Sequence, residues 1–105
     1  MAWLNLVIAG IFEVIWAVSL KYSESFSKLL PSVVTVVGMI ISFAFLSMAT
    51  KQLPIGTAYA VWTGIGAVGT IICGVILFQE PLGGQRILFL ALILIGIIGL
   101  KVTAA

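Results

Sequence analysis

Charge is what this sequence has least of. Asp, Glu, Lys and Arg make up 8% of its 105 residues, three acids against five bases, and histidine is absent. Soluble domains devote about a quarter of their residues to those four types, because a surface has to be solvated. A water-soluble globular fold is therefore excluded, and 63% apolar residues with a mean hydropathy of +1.36 require lipid as the solvent. With one cysteine and no histidine, neither a disulfide within the chain nor a clustered metal site is expected, and no cofactor is implied. The bases Lys21, Lys28, Lys51, Arg86 and Lys101 occur singly, so the net charge of +2 forms no nucleic-acid patch. No nucleophile is paired with a base, which makes an enzyme the least favoured class.

What is present is four long apolar runs. Each approaches the ~20 residues that cross a hydrocarbon layer about 30 Å thick. They predict transmembrane helices at 3–20, 31–49, 55–78 and 86–101, a single four-helix domain over 1–105. A β-barrel is disfavoured, because its strands alternate apolar with polar residues and these runs are continuous. Pro31 suits a first helical turn, where its missing N–H is not needed. Gln79-Glu80-Pro81-Leu82-Gly83-Gly84 marks a turn. The first run has no basic segment before it and no small-x-small site after it, and is expected to stay in the mature chain. So short a chain cannot enclose a transport path alone, so function calls for partner copies. Orientation is nearly undetermined: Lys21, Lys28 and Arg86 fall on one side of the membrane, Lys51 and Lys101 with the N-terminal amine on the other.

Chemistry in such a chain resides in polar groups inside the helices. Glu13 stands out, ten residues past Trp3 and so roughly 15 Å into the membrane. A charged residue at the centre of a spanning helix costs about 2.5 to 3.5 kcal/mol on insertion scales, so it faces protein or a wet cavity and serves ions or protons. The simpler reading is a neutral acid satisfied by a neighbouring helix. Its own face carries Leu6, Ala9, Gly10, Trp16, Ala17 and Leu20, and the small residues among them admit a close backbone. Trp16 is either an indole donor to the acid or a core filler. On the third helix Tyr59, Trp62, Thr63 and Gly66 share a face suited to a cation, while Gly56, Ala60 and Gly64 form a small-residue stripe. Gly64, Gly66 and Gly69 make a bend plausible there. Mid-membrane Ser42 either bonds its own helix or supports Glu13.

The block Ala9-Gly10-Ile11-Phe12-Glu13-Val14-Ile15-Trp16-Ala17 and the longer block from Leu53 to Gly66 closely resemble the small multidrug resistance family, and within it the guanidinium-exporter subtype. The resemblance covers essentially the whole chain. It implies an all-α integral membrane protein working as an antiparallel homodimer in the bacterial inner membrane, surrounded by lipid and coupling guanidinium export to protons by alternating access. By resemblance, Glu13 is the shared site for substrate and proton, Tyr59 and Trp62 frame it, and Trp16 and Ser42 hydrogen-bond to it. Gly10, Trp16 and Ser42 favour the guanidinium subtype over a polyspecific quaternary-ammonium exporter. A passive cation channel and a membrane scaffold held by glycine stripes are the remaining alternatives.

Overall fold

The computed structural model describes residues 1–103. Four helices follow one another: α1 Ala2–Tyr22, α2 Leu29–Ala49, α3 Ile55–Phe78 and α4 Gly84–Thr103. All four are long and apolar enough to cross a membrane. The fourth run, the shortest on sequence grounds, gains length at both ends, and its 20 residues span about 30 Å. Lys21 and Tyr22 join α1 rather than ending it, and α2 begins two residues ahead of Pro31.

The helices lie side by side in the order α2, α1, α3, α4, in a layer whose extents are 44 × 35 × 16 Å. α1 runs closely against α2 and also packs on α3, α2 and α3 meet only briefly, and the backbone of α4 approaches α3 alone. Lipid tails are as apolar as leucine, so helices associate through close packing rather than through hydrophobic exclusion. Small residues accordingly make the contacts. A side chain placed at Gly10 would run into Ile65 of α3, one at Gly69 into Val14 of α1, and one at Gly38 into Trp16 across the α1–α2 seam. Gly64 is filled by Ile97 and Ile93 of α4. The stripe expected on α3 is thus used only at Gly64, since Gly56 and Ala60 are exposed. The buried core gathers Leu6, Ala9, Ala49, Ala58, Val61 and Trp62, with Trp3, Trp16, Phe45 and Ile97 packed around it.

Two connectors hold one end of the layer. Between α1 and α2 the backbone turns left-handed at Glu24, Ser25 and Phe26, with φ of 49°, 64° and 68°. L-residues pay about 1 to 2 kcal/mol each for that conformation. Buried Ser23 offsets the strain: its hydroxyl donates to the Leu20 carbonyl at 2.6 Å and accepts from the Phe26 amide at 3.0 Å. Its carbonyl accepts from the Ser27 and Lys28 amides. After α3, Gln79 is left-handed, and the Glu80 amide donates back to the Gly74 carbonyl at 3.2 Å. Lys21 then pairs with Glu80 at 3.3 Å and lies 4.5 Å from the Phe78 ring centre. This ties the ends of α1 and α3 on one membrane face, weakly, because the ion pair is solvated.

Candidate functional site

The site is assembled where α1, α2 and α3 meet. Ser42 is fully buried on α2 and does not bond its own helix: its hydroxyl donates to the Ala9 carbonyl of α1 at 2.7 Å. The indole N–H of Trp62 on α3 donates to the same Ser42 oxygen at 2.9 Å. One buried chain of hydrogen bonds therefore joins three helices. Helical geometry directs the amide of Glu13 to the Ala9 carbonyl as well, so the chain ends one turn below the acid. A serine has one hydroxyl proton. Donating to Ala9, Ser42 has none left for a carboxylate, and its link to the Glu13 side chain runs through the backbone.

Trp62 is held on its faces too. The Phe43 ring meets it at 5.7 Å edge-on, and Tyr59 lies tilted at 5.6 Å between centroids. Trp62 is 7% exposed and Tyr59 57%, so the cluster reaches from the core to the outer surface of the protomer. Beside it, a groove lined by Phe43, Leu46, Ser47, Thr50, Ile55 and Tyr59 separates α2 from α3. Thr63 is exposed and Gly66 is buried, so the face expected on α3 is divided between surface and core.

Glu13 projects from α1 onto α3, where its carboxylate lies against Gly66. Its Oε1 is buried without a hydrogen-bond partner, and so is the indole N–H of Trp16. The structure brings Glu13 to Gly66 and Ser42 to Trp62. It does not join Trp16 or Ser42 to the Glu13 carboxylate. Trp16 packs against Gly38 and the core. Gly64 and Gly66 lie within one continuous helix, each taken up by a neighbour's side chain. Sequence reasoning missed the Ala9 carbonyl, a backbone group without a side-chain signal, and Phe43, whose place beside Ser42 was the available hint. Among the described residues no three His, Cys, Asp or Glu side chains cluster as metal ligands.

Chemically, the arrangement is an acid with unused acceptor capacity, buried against Gly66 one helical turn beyond the fixed Trp62. An isolated buried polar atom costs about 1 to 3 kcal/mol when unpaired. Such a group is suited to a cation bearing N–H donors or to a proton.

Residues 1–93 match the family described as Small Multidrug Resistance protein. The chain is 59% identical to the "Guanidinium exporter" of Escherichia coli strain K12 over 103 residues, 98% of each chain. It is 61% identical to the "Guanidinium exporter" of Yersinia pseudotuberculosis over 104 residues, 99% of this chain and all of that one. The Salmonella typhimurium protein of the same name is 57% identical over 104 residues. With four spanning helices and such bacterial relatives, this is a multi-pass inner-membrane protein that belongs to the small multidrug resistance family.

Proposed function

We propose that the protein is a transporter rather than an enzyme and exports guanidinium in exchange for protons. The observation that carries this reading is the buried Glu13 Oε1, left without a partner against Gly66, one helical turn beyond the hydrogen-bonded Trp62. Guanidinium is planar, permanently charged and rich in N–H donors, and pairs with a carboxylate through two parallel hydrogen bonds. A carboxylate that binds either a proton or a cation, but not both, couples their movements. The identities of 57–61% to proteins named guanidinium exporters support this substrate.

The working unit is an antiparallel homodimer with both Glu13 side chains at one site. A near tie in basic residues across the membrane lets the chain insert both ways, and two inverted copies form the kind of pair that longer transporters carry within one chain. Gly10 admits Ile65 of α3 close to the acid. Tyr59, Trp62 and Thr63 line the path of the cation, while Ser42 and Trp16 set which cations fit. Alternating access exposes the site to each side in turn, with Gly64 and Gly66 the points at which α3 flexes.

The test is guanidinium uptake into liposomes carrying the purified protein, with an acidic interior as the driving force. Accumulation that collapses with the pH gradient, and exclusion of tetraphenylphosphonium, are expected. Uptake that ignores the gradient would identify a channel, and uphill uptake of tetraphenylphosphonium a polyspecific exporter.

A further inference from the structure

Gly66 and Glu13 meet in a way that neither hydrogen bonding nor helix bending accounts for. A side chain built on Gly66 would fall on the Glu13 carboxylate, whose two oxygens and the carbon between them are its nearest atoms. Gly66 is buried, and Oε1 of Glu13 is buried without a donor. Shape rather than a hydrogen bond therefore locates the acid. The seat lies one helical turn beyond Trp62, whose indole is pinned by Ser42. Neighbouring glycines are spent differently, Gly64 on Ile97 and Ile93 of α4, and Gly69 on Val14 of α1. Within the protomer no second acid serves this place. α2 carries no titratable side chain, α4 has only Arg86 and Lys101 near its ends, α3 offers Tyr59 and Cys73, and α1 adds only Lys21 and Tyr22 at its last turn.

We propose that Gly66 is a positioning residue of the cation site: the space left by its missing side chain seats the Glu13 carboxylate against α3, one helical turn beyond Trp62, and so sets how the acid presents its two oxygens to a cation. This rests on Glu13 being the cation site. A methyl group at position 66 pushes the acid off α3 and misaligns it with a planar N–H donor, and binding that depends on two parallel bonds is sensitive to such displacement.

The experiment compares guanidinium binding and transport by wild type, Gly66→Ala, Gly64→Ala, Glu13→Asp, the double variants Gly66→Ala/Glu13→Asp and Gly64→Ala/Glu13→Asp, and Glu13→Gln, each across pH 6 to 9. Gly66→Ala is expected to weaken guanidinium binding at least tenfold and to move the pH of half-maximal binding. The Gly66→Ala/Glu13→Asp variant, whose acid is one methylene shorter, is expected to bind better than either single variant and to return the pH profile toward wild type. Losses in Gly64→Ala, which meets α4, are expected to be indifferent to Glu13→Asp. Wild-type binding by Gly66→Ala, or a loss that aspartate does not reverse, overturns the proposal. Should Gly66→Ala fail to fold, the Gly66→Ala/Glu13→Asp variant decides: a monodisperse, binding-competent protein supports the seat, and continued failure refutes it. Transport by Glu13→Gln at the wild-type level would sink the reading of the site itself. An inactive Glu13→Gln beside an unaffected Gly66→Ala would sink the seat alone.

Discussion

α1, α2 and α3 differ from α4 in what they bury, although all four helices are of similar length and equally fit to span a membrane. Every buried residue within the helices belongs to the first three, and α4 contributes none. Glycine content does not separate them. Gly10, Gly38, Gly66 and Gly69 each accept a neighbour's side chain, whereas Gly96 and Gly99 of α4 have nothing within 4 Å. Apolar composition sends a helix into the bilayer, and a partner with a side chain opposite each small residue decides whether it packs there. The site is built wholly from the packed group. α4 offers its outer face, with Ile95 at 63% and Ile98 at 62% exposure, to whatever lies beyond the protomer.

That division is most severely strained by forcing one orientation. If α4 finds its partner in an inverted copy, two Lys added near Gln52 bias the chain one way and two near Ser25 the other. Each biased variant alone is expected to lose most export, and coexpression to restore it. Full activity from a strictly single-orientation population would replace the antiparallel pair with a parallel one.

The contrast sharpens at single residues. Leu6 is fully buried, and Leu6→Ala is expected to destabilise the protein by about 3 kcal/mol through the cavity it leaves. Ile95→Ala on α4 is expected to cost at most about 0.5 kcal/mol in the monomer. Reversible unfolding in mixed micelles measures both. Equal costs would mean that α4 is part of the same core.

Within the packed group, Ser42→Ala removes the oxygen that holds Trp62 and the proton given to Ala9, leaving a buried indole N–H unpaired at about 1 to 3 kcal/mol. Several-fold weaker guanidinium transport and entry of hydrophobic cations are expected, and likewise for Trp16→Gly. Unchanged selectivity in both, measured against tetraphenylphosphonium, would assign them to packing.

The smallest effect belongs to the α1–α2 connector. Ser25→Gly relieves one left-handed residue and is expected to raise stability by about 1 kcal/mol, read as a higher midpoint of thermal unfolding. A lower midpoint would mean that the serine side chain outweighs the strain.

The four spans were legible because charges punctuate the apolar runs, and Glu13 because one acid in mid-helix is costly enough to stand out. Local pattern reached as far as helix faces and no further. It named Ser42 but could not say that its proton goes to the Ala9 carbonyl, since a backbone acceptor on another helix leaves no trace in residue type. It set Gly66 on the face suited to a cation and among the glycines of a bend, but could not say that a carboxylate lies against it. No glycine within Ser23–Lys28 announced three left-handed residues, because Ser23 supports them through hydrogen bonds that only the folded turn supplies.

The central claim is that one carboxylate, held by the packed three-helix group, takes either a proton or a cation. Proton release on guanidinium binding to the purified protein, followed in weakly buffered detergent solution, tests it most directly. Wild type is expected to release protons as it binds and to bind more weakly as pH falls, because the cation requires the ionised acid and acidification fills it with protons. Glu13→Gln is expected to do neither. Proton release by Glu13→Gln equal to that of wild type, or wild-type binding that releases no proton anywhere between pH 6 and 9, would contradict the account.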